Sequence, residues 1–515
     1  MDYKVPIGRP ILPKPDNFAR SALLCAWLGW CDKYHDCDKH IGKSTTALPT
    51  RVLDVGDPED SGYNADFVRL VLASETRGQK YIALSHCWGD LSDEEKKAYC
   101  TTQDNFDRRR VGFSLSELPK TFQDAVTVTQ ELGVRYLWID SLCIIQHGDN
   151  GVDWKNESGR MKSVFSQAYC TIAATAAAHS NAGFLERDVS TEYVYVKDAS
   201  GKQFYISTDI DDFDEDVDKA RLNTRAWVMQ EGVLARRTIH FSANQTYFEC
   251  GKGVYCENLT RLIRYSSTTP EIEKLLTKMF PFSSHRNRYF MLDPNFPDRL
   301  FQSGKGRTIN CISFLFEEYS KRRLTVPTDR SVAISGLEDR IAGVLKCQSR
   351  YGIFQMYLHR NLLWHASNDK VKEIAYDHHV PSWSWMAYSG GIQFMDIPLG
   401  EADWVDHLQF DEECDHAITA NLGTFQNCTM ELDGARYAVL SSGAERGWIQ
   451  YDVEGGKDLC KEQCVVVGRR SNSGIAEYYV LVVRSTSVDG EYRRIGVGLI
   501  QSDCVVGQRN NVRVV

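Results

Sequence analysis

Apolar and polar positions change period repeatedly along the chain, and each change marks an element. The segment SALLCAWLGWCDKYH (21–35) has helical spacing, whereas PTRVLDVG (49–56) and FVRLVLAS (67–74) read as short strands around the turn GDPEDSG. KYIALSHCWGD (80–90) is an apolar run broken by Ser85, His86 and Gly89, the profile of a buried strand ending in a polar turn. In SELPKTFQDAVTVTQELG, Leu118, Phe122, Ala125, Val126, Thr129 and Leu132 share one helical face, with Pro119 near the first turn and Gly133 past the end. VRYLWID (134–140) is a nearly continuous apolar strand, as a strand covered on both faces should be. DWKNESGRMKSVFSQA (153–168) predicts a second helix that buries Trp154, Met161, Val164, Phe165 and Ala168, with Asp153 as its N-cap. AYCTIAATAAA (168–178) is a third strand.

Strand, helix, strand, helix, strand is the order of a parallel α/β sheet with helices on its faces, and ligands of such sheets collect beyond the carboxyl ends of the strands. Ser85, His86 and Asp140 stand at those ends, with His179 and Ser180 after the third strand. NTRAWVMQEGVLARRTIHF (223–241) continues as a short helix running into a strand, and helical patterns such as TINCISFLFEEYSKRRL dominate after residue 261. Short β-like runs with Gly, Ser and Asp turns take over from about residue 376, among them YAVLSSG, CVVVGRR, YYVLVVRS and RIGVGLI. The expected organisation is a leading segment over 1–79, an α/β domain over 80–260, a mainly helical region over 261–375 and a β-rich region over 376–515.

A chain of 515 residues exceeds one hydrophobic core, which agrees with several domains. Its net charge of −9, without a long basic block, supplies no electrostatic footprint for nucleic acid. The pattern also holds no apolar run of membrane-spanning length and no secretory leader, so a cytoplasmic location off the membrane is expected. The sixteen cysteines are scattered, several inside apolar runs, as reduced thiols packed in a core would be. Phosphate-loop, dinucleotide-fingerprint, zinc-protease and serine-hydrolase motifs are absent, and the glycines of SGKGRT (303–308) are too close together for a phosphate loop.

Cys31, His35, Cys37 and His40 are ligand types that suit zinc, but their spacing matches no standard finger. Ordinary packing is the expectation there, and for Cys460 and Cys464, so no metal is assigned. Asp140 ends an apolar strand, where a carboxylate needs partners or a raised pKa. It suits ribose binding or proton abstraction, and equally a helix cap or an ion pair with Arg225. Glu231, beside Trp227 and Met229, reads as a part-buried carboxyl or as a surface partner of Arg236. Trp88 and Trp154 fit core packing.

Five blocks, YIALSHCWG, LPKTFQDAV, RYLWIDSLCIIQ, ESGRMKSVFSQA and RAWVMQEGVLARRTIHF, resemble in order and spacing the successive signatures of the fungal heterokaryon-incompatibility (HET) family. LPTRVLDVG before them, and TDRSVAISGL and VPSWSWMAYSGG after them, extend the likeness. The signature positions fall on Ser85, Trp88, Asp140, Cys143, Gln146, Glu157, Trp227, Gln230 and Glu231. Phe165 stands where tyrosine is usual and Ala226 where glycine is usual, and neither change removes a charge.

The resemblance implies a fold similar to Toll/interleukin-receptor (TIR) domains, a parallel, flavodoxin-like sheet, and a part in non-self recognition and cell death. By analogy of fold it implies NAD as a substrate, with no other cofactor, and Glu186 lies roughly where TIR enzymes carry their glutamate. Ser85, His86, Asp140 and Glu231 are the expected catalytic set around a shared small-molecule pocket; Trp88, Glu157, Arg225 and Trp227 are the expected substrate-binding residues. Three functions stay open at this point: an effector that binds or cleaves NAD, a cofactor-independent cyclase, isomerase or lyase of specialised metabolism, and a non-catalytic assembly module. A homo-oligomer or a HET-type protein partner is compatible with each.

Overall fold

The computed structural model describes residues 17–35, 48–76, 80–187, 212–262, 304–367, 371–453, 462–470 and 476–515, with 11, 37, 189, 193–197, 199–207 and 459 besides. It divides into two compact units, Met1–Arg299 and Leu300–Val515.

The first unit is built on one ten-stranded sheet. Its strands are β1 (Arg51–Asp54), β2 (Phe67–Leu72), β3 (Tyr81–Ser85), β4 (Phe113–Ser114), β5 (Tyr136–Trp138), β6 (Cys170–Ala173), β7 (Arg237–Phe241), β8 (Thr246–Cys250), β9 (Gly253–Cys256) and β10 (Arg261–Leu262). Across the sheet they run β10-β9-β8-β7-β6-β3-β5-β1-β2-β4. YIALS and YLW are parallel neighbours in register Ile82↔Leu137, as their apolar runs predict. β3 also pairs in parallel with β6, and β6 with β7, so the middle four strands are parallel.

The sheet is not parallel throughout. β1, β2 and β4 add antiparallel strands on one side, and β8, β9 and β10 on the other. The outer strands join through turns too short for a crossover, such as the one between β8 and β9, and short turns produce antiparallel pairs. The architecture is therefore a mixed α/β sheet.

Helices cover both faces: α1 (Asn17–Tyr34), α2 (Lys120–Glu131), α3 (Asp140–Cys143), α4 (Val152–Ser158), α5 (Met161–Gln167) and α6 (Ala226–Leu234). α2 starts after Pro119 and stops where Gly133 takes φ +64, a conformation that glycine adopts without strain. Its Phe122, Ala125, Val126 and Val128 pack with Ile82, Leu84, Leu137 and Ile139 of the sheet and with Leu24, Trp27 and Leu28 of α1. The opposite face buries Tyr81, Tyr136 and Trp138 under Met161, Val164 and Phe165 of α5 and Leu234 of α6.

The helix expected over 153–168 is two helices, broken at Gly159 and Arg160, where glycine's poor helix propensity makes interruption cheap. Asp153 is not the cap either. Gly151 holds that position with φ +72, and the Asp153 carboxylate accepts the Ile145 amide at 2.7 Å and pairs with Arg51.

In the second unit, helices Lys305–Ser320 and Val332–Leu345 precede a β-rich region. There a second ten-stranded sheet runs antiparallel apart from the pairing of Glu491–Gln501 with Val505–Val514. Among the described residues no helix is long and apolar enough to cross a membrane, and no disulfide joins any of the fifteen cysteines.

Candidate functional site

In chain order the four parallel strands stack as second, first, third, fourth, so the connection leaves β3 on one side and later returns to its other side. Such a reversal opens a crevice beyond the carboxyl end of the first strand. The residues at that end of β3 are Ser85 and His86.

Ser85 and His86 are both buried. His86 stacks edge-on against Phe122 of α2, with ring centroids 4.9 Å apart, and its carbonyl accepts a hydrogen bond from the Arg225 guanidinium. Its Nδ1 lies 3.8 Å from Asp140 Oδ1, while its buried Nε2 has no hydrogen-bond partner. Burial pushes the imidazole pKa down to about 4, against the pull of Asp140 and with a smaller push from Arg225, so the ring is neutral at pH 7.

Asp140 opens α3, directly after β5. One oxygen accepts the Ser141 amide at 2.6 Å and the other accepts Trp88 Nε1 at 3.0 Å, while Gln146 Nε2 donates to its carbonyl at 3.1 Å. The carboxylate keeps 26% of its side-chain surface exposed, which makes it the solvent-linked acid of the group. Glu231 comes from α6, where Arg225 takes the N-cap position. It is buried against Ser85, whose Oγ faces the carboxyl without closing a well-formed hydrogen bond. Desolvation pushes the Glu231 pKa up to about 7; Arg225 and Ser85 pull it down and the Asp140 charge adds to the rise.

Ser85, His86, Trp88, Asp140, Arg225 and Glu231 thus come together. Glu157 does not join them: its carboxylate accepts Thr50 Oγ1 at 2.6 Å and pairs with Arg160 at 3.4 Å. Trp227 packs at the margin of the layer formed by Trp138, Phe165 and Leu234, with Trp154 beside that same layer. Glu186 is exposed, unlike the buried Glu231. Arg236, read from sequence as a partner for Glu231, donates through Nε to the Ser166 carbonyl at 2.7 Å. Phe122 and Cys87 border the group without having been singled out; an α2 core position and a thiol next to His86 give no chemical signal on their own.

Ser180 closes the rim, its amide and hydroxyl both donating to the Trp88 carbonyl at 3.1 and 3.0 Å. The approach is close enough to require glycine at position 89, which has φ +81 and where an added Cβ would lie 2.4 Å from His179 Cβ. Gly89→Ala is expected to cost about 1–3 kcal/mol through backbone strain and overpacking. Thermal unfolding checks this, and an unchanged melting temperature would contradict the packing.

The second unit holds an open groove of about 580 Å³, lined in part by Glu338, Arg350 and Tyr351. Its buried acid, Glu338, accepts the Gly352 amide at 2.9 Å, and desolvation pushes its pKa up to about 7 as well. The group at the β3 end sets a buried carboxyl of pKa near neutrality and a part-exposed carboxylate beside a neutral imidazole and a guanidinium. Such a set can move a proton and steady a positive centre.

No curated protein and no solved structure matches the chain. Residues 81–231 match the family described as heterokaryon incompatibility protein (HET), a span that starts on β3 and ends on Glu231 itself. The site is therefore contained in a HET domain, and residues 81–231 of this chain belong to that family.

Proposed function

We propose that the HET domain carries out the effector step of heterokaryon incompatibility, a cytoplasmic cell-death response to non-self in fungi, by cleaving the bond between nicotinamide and ribose in NAD. The observation that carries the reading is the Glu231 carboxyl, held at a pKa of about 7 next to Ser85 and Asp140 at the end of β3. A general base is most effective when its pKa lies near the working pH. In this mechanism the C1′–nitrogen bond breaks and its electron pair returns to the pyridinium ring, so nicotinamide leaves neutral. The Asp140 carboxylate stabilises the cationic ribose, water adds to C1′, and the water proton passes to Glu231. Arg225 suits the pyrophosphate, and the ring of Trp88 suits the flat nicotinamide. The second, first, third, fourth strand order supports a TIR-like, flavodoxin-like parallel core for this chemistry.

A second reading rests on the same pair: a carboxyl of pKa about 7 beside a neutral imidazole also suits the proton transfers of a cofactor-independent cyclase, isomerase or lyase. Incubation of the purified full chain with NAD separates the two. Nicotinamide release that Asp140→Asn and Glu231→Gln both abolish supports NAD cleavage. NAD left intact, with the cellular response still dependent on Glu231, moves the assignment to the second reading. A response indifferent to both substitutions makes the domain an assembly module.

A further inference from the structure

The C-terminal end of α1 meets the β8–β9 hairpin at a cluster the acid–base site does not use. Cys31 lies in the last turn of α1, His35 and Cys37 follow it, and Cys250 ends β8. One donor atom from each of the four lies within 4.8 Å of the others. The three thiols are buried, between 1% and 3% exposed. His40, the fourth member suggested by the sequence spacing, lies outside the described residues, and Cys250 supplies the fourth donor from 215 residues beyond His35.

We propose that Cys31, His35, Cys37 and Cys250 form a structural zinc site that clamps α1 to the β8–β9 hairpin. Three sulfurs and one imidazole nitrogen are a standard donor set for closed, tetrahedral zinc. Cys250 Sγ and His35 Nδ1 are 3.3 Å apart. Zinc bonds of about 2.3 Å to sulfur and 2.0–2.1 Å to nitrogen put neighbouring ligands of a tetrahedron about 3.6 Å apart, so little movement is needed.

The surroundings are those a metal ligand needs. With Nδ1 turned to the cluster, His35 Nε2 is 3.3 Å from the Tyr255 hydroxyl and can donate its proton there, which fixes the tautomer and the ring orientation. The hairpin turn Gly251–Lys252 brings its amides to the sulfurs, Gly251 to Cys37 and Lys252 to Cys250. Those bonds temper the negative charge of three thiolates around a divalent ion. Mere packing would give no reason to set an imidazole nitrogen among three desolvated sulfurs. Iron–sulfur clusters take four thiolates in the ordinary case, and a single histidine with three cysteines favours zinc.

The clamp also has a mechanical partner. Asp32, next to Cys31, pairs with the buried Arg237 of β7 and accepts the Tyr169 hydroxyl at 2.8 Å, so the same helix end is held on the sheet by an ion pair and by the metal.

The test is the metal content of the untagged full chain, by mass spectrometry, together with exchange of zinc for cobalt. The expected results are about one zinc per chain and, after exchange, the intense ligand-field bands and sulfur-to-metal charge transfer of tetrahedral thiolate-bound cobalt. Cys250→Ser and Cys37→Ser should bring the zinc to background, while His40→Ala and Cys256→Ser, which leave the four donors in place, should keep the full equivalent. A metal-free wild-type chain, a Cys31–Cys37 disulfide in its place, stoichiometric iron or copper, or zinc retained in Cys250→Ser would each overturn the assignment. The cobalt spectrum of the wild-type chain decides the case should a cysteine variant not fold.

Discussion

Arg494→Leu is expected to destabilise the second unit by about 3–5 kcal/mol, because it strands a buried carboxylate. Arg494 and Asp452 are 0% and 1% exposed in their side chains, and the guanidinium meets the carboxylate through Nε at 3.0 Å and Nη2 at 3.1 Å. Two further donors are used as well: Nη1 binds the Leu362 carbonyl at 2.6 Å and Nη2 the Trp364 carbonyl at 2.5 Å. The guanidinium carbon lies 3.6 Å from the centroid of the Trp364 ring. Desolvation already pushes the Asp452 pKa upward against the pull of Arg494, so removing that cation leaves only the weaker pull of Arg493 against the cost. Arg494→Lys should recover little, since an ammonium cannot reproduce the two-pronged contact or reach both carbonyls. The double substitution Arg494→Met with Asp452→Leu should recover a large part of the loss, because it removes both charges together. Denaturant unfolding of the full chain measures each step, and a single-variant cost below about 1 kcal/mol would mean that the pair is far better solvated than its burial indicates.

What the sequence disclosed and what it hid divide along range. The ends of β3 and β5 were legible because an apolar run must stop where polar groups are needed, and Ser85, His86 and Asp140 stand at those stops. Amphipathic spacing likewise located α2, whose buried face agrees with the periodic positions. Strand direction was less legible. VLD and FVRLVL read as strands, but period alone does not distinguish a parallel neighbour from an antiparallel one, and β1 and β2 extend the sheet as an antiparallel pair. Glu157 looked like Glu231, since both are acids on short helices within signature blocks; only tertiary packing gives one to Thr50 and Arg160 and the other to Ser85 and Arg225. Cys250 was hidden for the same reason. The one local signal is a cysteine that ends a strand at the tight Gly251–Lys252 turn, and nothing nearby in sequence connects it to Cys31.

Glu231→Gln should lose activity and gain stability at alkaline pH, a combination that a purely structural carboxyl would not produce. For the general base proposed above, the expected activity loss is about 10²–10⁴-fold. The stability effect follows from linkage. The folded pKa of about 7 stands above the 4.5 of an unperturbed glutamate, so the folded state holds the proton more tightly. Below pH 4.5 the carboxyl is protonated in both states and its contribution is fully present. Between 4.5 and about 7 the unfolded chain ionises first, and stability falls by about 1.4 kcal/mol per pH unit. Above 7 the loss levels off at about 3 kcal/mol, the cost of carrying a buried anion. Glutamine keeps the shape and does not titrate, so the variant should exceed the wild-type chain above pH 7 by up to that amount, less about 1 kcal/mol for an amide donor left without a partner. His86 runs the opposite way: its pKa is depressed to about 4 from 6.5, so its contribution is present above 6.5 and is lost as pH falls toward 4. The difference between wild type and variant cancels that slope and isolates Glu231. Denaturant unfolding of both chains at pH 5 and pH 8.5 reads the difference directly. Parallel pH profiles would show that Glu231 ionises as freely in the folded chain as in the unfolded one, and the proposed acid–base role would then pass to Asp140, the part-exposed carboxylate of the same group.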